Sequence, residues 1–391
     1  MAVQRLLERL ERIYSIGGGP GANRPAYSVG EDQAHGLVAR WMREAQLEIE
    51  ADRAGNLFGR RRGSRPGLPE IWTGSHLDSV PQGGRFDGPL GVLAGLEAVE
   101  RIGPQACTLA VVAFRDEEGW RFGRGCFGSR ALCGLLEPGE LATADDNGIT
   151  LAEVLGGSDI PPRGWLEITP AAYVEAHIEQ GPVLERLGAP LGVVRSIVGL
   201  ARLAVTFAGS PGHAGTTPMA GRDDALCKAA AFVLEVRSAA ASLPGAVATV
   251  GQLKVEPGAA NVIPARVHLV VDARAPEEAT LTSLLEAIHA RAESAEIDLL
   301  RRTTAVPMAD SVRDLLREAL ADLRLPTPEL HSGAGHDAGV LGAAGVPAGM
   351  LFVRSRNGGI SHSPDERSDE TDIALCIDVL AGSLRRLATS P

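Results

Sequence analysis

The stretch "EIWTGSHLDSVPQGGRFDGPLGVLAGLEAVERIGPQACTLAVVAFRDEEGW", residues 70–120, decides the fold. Residues 70–73 look like a short strand, 90–102 repeat apolar residues at helical spacing, and "CTLAVVAF" (107–114) is an almost wholly apolar run of strand length. Strand, loop, helix and strand in that order predict a parallel or mixed sheet covered by helices, with a further helix starting at 128–136. Ligands on such sheets sit beyond the carboxyl ends of the strands. Two polar clusters, 74–88 and 115–125, fall at that edge.

Further along, the texture changes near residue 199. "ARLAVTFAG" (201–209) alternates like a strand, 223–242 is Ala-rich and helical, "AVATVGQLKVE" and "ARVHLVVDAR" read as paired strands, 277–293 as a helix and "EIDLLRRTTAV" as a last strand. This β-α-β-β-α-β order is that of the split β-α-β sandwich. The expected organisation is therefore α/β: a discontinuous mixed-sheet domain with helices on both faces, 1–198 and 311–391, interrupted by a ferredoxin-like α+β domain over 199–310. The helix "SVRDLLREALADL" would return the chain to the first domain.

At the N-terminus, "MAVQRLLERLERIYSI" places Val3, Leu6, Leu7, Leu10 and Ile13 on one helical face. It lacks the apolar core of a secretory signal. The loop-rich "IGGGPGANRPAYS" (16–28) is expected to be mobile. Arg60–Arg62 and Arg301–Arg302 read as solvated charge.

The 391 residues carry 38 basic and 49 acidic side chains, a formal charge of −11, with 4% aromatics. A polyanion meets net repulsion from such a chain, so nucleic acid is not an expected partner. Nor is a membrane, because no segment approaches the roughly 18 uninterrupted apolar residues of a span. The five cysteines, 107, 126, 133, 227 and 376, form no Cys-x-x-Cys pair, which argues against a disulfide framework or a thiolate zinc site and favours a cytoplasmic location.

Acid and imidazole concentrate in five stretches: "SHLDSV" (His76, Asp78), "RFDGP" (Asp87), "FRDEEGW" (Asp116, Glu117, Glu118), "AHIEQGP" (His177, Glu179) and "ISHSPDE" (His362). Taken singly, each is more often structural, since Asp after a strand is a common turn residue and surface loops are rich in acids. Together, three histidines and two or three carboxylates beside glycines at strand ends suit a two-metal site with one bridging carboxylate.

"GSHLDSVPQGGRFDGPLGV", "FRDEEGWRFGRGCFGS", "HIEQGPVLE", "GHAGTTPM", "NVIP", "VVDAR", "SGAGHDA" and "GISHSPDE", in this order from about residue 70 to 366, resemble the dinuclear metal amidohydrolases that include N-carbamoyl-L-amino-acid hydrolase, allantoate amidohydrolase and β-ureidopropionase. These are relatives of aminoacylase and carboxypeptidase-like metallopeptidases. The resemblance implies two divalent ions per subunit, with zinc favoured and manganese, cobalt or nickel as alternatives. It implies that His76, Asp87 and His177 hold one ion and Asp87, Glu118 and His362 the other. Asp78 would orient the His76 ring, and Glu117 would be the general base that moves a proton from water to the leaving nitrogen.

By the same resemblance the inserted domain acts in dimerisation and as a lid. His213 would stabilise the oxyanion in the partner subunit's site of a homodimer, and Asn261 and Arg274 would bind substrate, the arginine gripping a carboxylate. Gln180, Gly359 and Ser361 border ligand positions and join the substrate-contact set. His336 and Asp337 are expected to be structural or to support the ligands from behind, and histidines 35, 268, 289 and 331 have no evident partner. Carbamoylase-type relatives carry Gly-x-Gln-Arg-Tyr where this chain reads "GLARL", so Ala201 stands in place of the glutamine and implies a lost polar contact to the substrate. The implied activity is hydrolysis of a linear C–N amide or ureido bond in a small carboxylated substrate, an N-carbamoyl-L-amino acid first. The alternatives are an allantoate-type ureide, an N-acyl amino acid, a dipeptide, or a non-catalytic binding role.

Overall fold

A computed structural model describes residues 2–156, 169–292 and 294–389. The chain divides into two compact units, one of residues 1–195, 308–330 and 334–391, the other of 196–307 with 331–333. The large sheet is mixed. Its strands lie in the order Glu48–Ala51, Leu57–Arg61, Leu109–Phe114, Ile71–His76, Ala172–Ile178, Ala348–Val353 and Leu191–Ile197. The four central strands run parallel, with Ile71 opposite Leu109 and Ala172, and Ala348 opposite Tyr173. Leu57–Arg61 and Leu191–Ile197 flank them antiparallel.

The central strands are buried along their whole length, which is why 107–114 reads as an apolar run and not as an alternation. Helix Pro89–Ile102 packs on strand Ile71–His76 and is in turn covered by Ala2–Tyr14 and Glu370–Thr389. Sandwiched between layers, it buries every residue from Pro89 to Val99, including Glu97. That carboxylate is matched by Arg5 Nε at 2.8 Å and Arg9 Nη1 at 2.9 Å, which removes the cost of an unpaired buried charge.

Several local expectations shift. Strand Ile71–His76 runs three residues past 73, so His76 ends the strand itself and does not lie in the loop. Helix Phe127–Leu132 stops short of 136. Arg60 is buried, paired with Glu70 at 3.1 Å and lying over the Phe58 ring at 4.7 Å, and half-buried Arg61 donates to the Val99 carbonyl at 3.2 Å and the Ala45 carbonyl at 2.8 Å, so of these three only Arg62 fits the solvated-charge expectation. The later part of the 16–28 segment is docked: Arg24 is wholly buried, its backbone N–H donates to Ser79 Oγ at 3.0 Å and its Nε to Leu77 O at 2.9 Å, while residues 17–20 are exposed. Histidines 268, 289 and 331 have partners in Thr206, the Leu285 carbonyl and Ser196, whereas His35 is buried with its Nε2 3.7 Å from Glu31 Oε1, beyond hydrogen-bond reach.

The second unit is a four-stranded antiparallel sheet, ordered Ala295–Thr303, Gly199–Ala208, Arg266–Ala275, Val247–Glu256, with helices Ala225–Ala241 and Glu278–Ala290. Alternate residues Ala201, Leu203, Val205 and Phe207, and Val267, Leu269, Val271 and Ala273, join Phe232, Val236, Leu281, Leu284 and Ile288 in one apolar core. This is the ferredoxin-like strand order of a β-α-β-β-α-β chain. Residue 293, the end of the expected 277–293 helix, lies outside the described residues.

Candidate dinuclear metal centre

All the candidate ligands but Asp87 lie at or after the carboxyl end of a central parallel strand. His76 is the last residue of Ile71–His76, Glu117 and Glu118 follow Leu109–Phe114, His177 is the penultimate residue of Ala172–Ile178, and His362 follows Ala348–Val353. Asp87 sits at the foot of helix Pro89–Ile102, reached through a loop that closes at Gly88 with φ 82°; a Cβ there would stand 2.5 Å from the His76 ring, so the turn requires glycine.

Asp87 is the hub. Its Oδ1 lies 3.3 Å from His177 Nε2 and 3.7 Å from His76 Nε2, and its Oδ2 lies 3.4 Å from His362 Nε2. His362 Nε2 is also 3.3 Å from Glu118 Oε2. Two triads result, His76–Asp87–His177 and Asp87–Glu118–His362, each with its donor atoms within 4.8 Å of one another. The first is buried, whereas the His362 side chain is 47% exposed, which leaves that flank open to a ligand.

The second nitrogen of each buried ring is already committed. His76 Nδ1 faces Asp78 Oδ1 at 3.2 Å and the Asp78 carbonyl at 3.3 Å, and His177 Nδ1 faces the Ile178 carbonyl at 3.0 Å. These partners are acceptors, so Nδ1 carries a hydrogen in both rings, and Nε2, aimed at Asp87, is the nitrogen left to bind a metal. Both Nε2 atoms are buried without a hydrogen-bond partner.

Glu117 and Glu118 lie on a bend, not on an extended segment, with Asp116 in the left-handed region at φ 51°. Their backbone N–H groups donate to the two oxygens of Asp78, both at 3.1 Å. Glu117 Oε2 stands 3.7 Å from His76 Nε2, and the Cys126 thiol donates to its Oε1 at 3.6 Å. Burial is the largest influence raising both carboxyls well above the usual range; the His76 charge opposes it at Glu117, and the Asp87 charge adds to it at Glu118.

Gln180 Nε2 donates to Asp87 Oδ2 at 2.9 Å, so this residue touches the hub directly. Gly359, at φ 83°, packs on Gly181, and Ser361 is half-buried beside His362. Sequence patterns missed three groups. Glu366 accepts the N–H of Phe86 at 2.6 Å and of Asp87 at 3.2 Å. Arg24 lies beneath the 77–79 turn. Glu175, two residues before His177 on the same strand face, forms a third candidate triad with His177 and His336. Both Glu175 oxygens are taken, by Ser75 Oγ at 2.7 Å and the Ala338 N–H at 2.9 Å, which makes it a buried acceptor of structural hydrogen bonds. His336 lies against the His177 ring at 4.4 Å, and Asp337 accepts from Ser129 Oγ at 2.5 Å.

His213, Asn261 and Arg274 belong to the second unit. The N–H groups of Gly215 and Thr216 donate to His213 Nδ1 at 3.1 and 3.2 Å, which fixes the ring with its hydrogen on the exposed Nε2, a donor. The Asn261 carbonyl accepts from Ala214 at 3.0 Å, joining the two candidate residues. Arg274 is held by Asp272 (Nε to Oδ1, 2.7 Å) and the Gly333 carbonyl (Nη1, 2.7 Å). Ala201 corrects an expectation: it is wholly buried in the apolar core, so its side chain faces the helices and the change to alanine there alters packing, not a substrate contact.

Residues 72–386 match Peptidase family M20/M25/M40. The chain belongs to this family. It is 41% identical to the N-carbamoyl-L-amino acid amidohydrolase of Geobacillus stearothermophilus, with 98% of each chain covered, and 34% identical to allantoate deiminase 1 of Glycine max, covering 94% of this chain and 86% of the relative. A crystal structure of an amidase of the hydantoinase/carbamoylase family from Burkholderia multivorans superposes with a TM-score of 0.91 at 33% identity, over 100% of this chain and 98% of that one.

The M20 chain's own chemistry fits a metal pair. Nε2 of two buried imidazoles and a carboxylate oxygen face one point, and they are compatible there only with positive charge between them, whether from protons or from a metal ion. The ionisation of the site expresses the same demand. Burial works to raise Asp87, but its contacts with His177 and His76 outweigh that and hold the carboxyl well below the usual range. Burial likewise opposes charge on His76, but Glu117, Asp78 and Asp87 raise that imidazole well above its usual range.

Proposed function

We propose that this M20 family member is a two-metal amidohydrolase whose substrate is an N-carbamoyl-L-amino acid, released as amino acid, ammonia and carbon dioxide. The observation that carries the reading is Asp87 standing between His76 and His177 on one oxygen and His362 on the other. The first ion is assigned to His76, Asp87 and His177, and the second to Asp87, Glu118 and His362. Zinc suits this nitrogen and oxygen donor set, as does manganese. When bound, the ions supply positive charge that acidifies water and polarises a carbonyl.

Glu117 takes the proton of the attacking water on Oε2 and returns it to the leaving nitrogen. Its carboxyl, with Oε2 3.7 Å from His76 Nε2 and Oε1 held by the Cys126 thiol, is placed to carry one between two steps. His213 supplies Nε2–H to the developing oxyanion from the partner subunit of a homodimer, Asn261 adds a polar contact, and Arg274, oriented by Asp272, binds the substrate carboxylate. Gln180, Gly359 and Ser361 border the substrate, and the setting is cytoplasmic. Relatives named N-carbamoyl-L-amino acid amidohydrolase at 41% identity, against allantoate deiminase at 34%, support the carbamoyl substrate over the ureide.

The test is metal content by elemental analysis together with release of free amino acid from a panel of N-carbamoyl, N-formyl and N-acetyl amino acids, and of ammonia from the N-carbamoyl substrates and allantoate. Two ions per chain, with turnover greatest on N-carbamoyl-L-amino acids and abolished by chelation, is the expected result. Turnover unchanged after the metal is stripped would sink the proposal.

A further inference from the structure

Asp87 is reached by a glycine-rich loop, a poor platform for a ligand shared between two ions, and something must hold that loop. Glu366 does so from 279 residues away. One oxygen, Oε1, accepts both the Phe86 N–H at 2.6 Å and the Asp87 N–H at 3.2 Å, and the residue is 6% exposed. Glu366 sits four residues beyond His362, and its own N–H is tied to the Ser363 carbonyl at 3.1 Å, so the segment that carries His362 is closed on itself where the carboxylate leaves it. The fit leaves no slack. A Cβ added to Gly84 would lie 2.1 Å from the Glu366 carboxyl carbon, although the backbone of Gly84 is not in the left-handed region.

We infer that Glu366 is the positioning residue of the metal centre: by bonding the backbone of Phe86 and Asp87 it locks the loop of the shared ligand to the segment of His362, and thereby sets affinity for the ion pair. It takes no part in proton transfer. The inference rests on the two-metal reading above. Two buried amide donors on one carboxyl oxygen form a strong joint in a dry setting. Partners that orient metal ligands commonly govern affinity about tenfold to hundredfold.

Metal-free wild type, Glu366→Ala, Glu366→Gln and Gly84→Ala are titrated with zinc chloride against a competing chelating dye, with the fold of each checked by circular dichroism and thermal melting. The alanine variant should bind zinc about tenfold to hundredfold more weakly. Glutamine, whose carbonyl oxygen can accept the same two N–H groups, should stay within a few-fold of wild type. Gly84→Ala, which displaces the carboxylate without removing it, should weaken binding in the same direction. A folded Glu366→Ala with wild-type zinc affinity would overturn the inference, as would a glutamine variant as weak as the alanine one. If Glu366→Ala fails to fold, Gly84→Ala decides, and wild-type affinity there overturns the inference. Wild type that takes up no zinc removes the two-metal reading and this inference with it, an outcome distinct from equal binding by wild type and variant.

Discussion

Oδ1 of Asp78 lies 3.2 Å from Nδ1 of His76, and the same carboxylate receives the backbone N–H groups of Glu117 and Glu118. One side chain thus fixes the tautomer of a candidate ligand and the course of the segment that carries another ligand and the proposed base. Asp78→Ala should lose both functions. Metal affinity should fall about tenfold to hundredfold, with turnover falling further than metal loss accounts for, because Glu117 is also released. Zinc titration followed by turnover at saturating zinc separates the two effects; full recovery of turnover at high zinc would show that Asp78 serves His76 alone.

Glu117→Gln keeps the shape and the Cys126 contact but removes the proton acceptor. The variant should retain two ions, since no ligand in either triad changes. Its kcat should fall by roughly 10²–10⁴-fold, the usual weight of a general base. Elemental analysis beside initial-rate measurements checks both halves, and a fully active variant would remove Glu117 from the proton-transfer path.

Residues 107–114 were legible because a buried parallel strand is apolar on both faces, and the motif residues because ligands gather where such strands end. Strand Leu57–Arg61 hid behind its arginines: local sequence cannot say that Arg60 will find Glu70 and the Phe58 ring. Glu366 looked like one more loop acid, because its partners, Phe86 and Asp87, are about 280 residues away and present only backbone N–H groups. Arg24 lay in a run of glycine and proline that reports chain flexibility, not where the segment docks. Motif position does not reveal which face of its strand Ala201 occupies, whereas the alternation of Leu203, Val205 and Phe207 with it does.

Glu31 gives the fold a pH dependence. Its Oε2 accepts the Tyr27 N–H at 2.5 Å and Arg115 Nη1 at 2.7 Å, yet burial, opposed by Arg115, pushes the carboxyl from 4.5 up to about 7. The folded state therefore binds this proton more tightly than the unfolded chain. The stabilisation is complete below pH 4.5 and is lost as pH rises through 7, a contribution of roughly 3 kcal/mol at most. Glu31→Gln can keep both acceptor bonds through its carbonyl and place its amide where Oε1 has no partner. Denaturant unfolding from pH 5 to 8 should show wild type losing stability relative to the variant as pH rises; parallel curves would show that Glu31 stays ionised throughout.

Ala201 separates a packing role from a recognition role. Its side chain is wholly buried between strand Gly199–Ala208 and the helices of the second unit, while neighbouring Leu200 is half-exposed and, by strand alternation, points the other way. Ala201→Gln must push a larger side chain and an unpaired amide into the core that holds Leu203, Phe232 and Leu281. The expected cost is about 2–5 kcal/mol from overpacking and desolvation together. Leu200→Gln, on the open face, should leave stability nearly unchanged. Thermal unfolding of both variants, read with the substrate panel, distinguishes the two accounts. Ala201→Gln should melt lower and keep the substrate ranking of wild type in whatever fraction remains folded. A variant that melts like wild type but changes the ranking would place residue 201 against the substrate and reverse the assignment made from its burial.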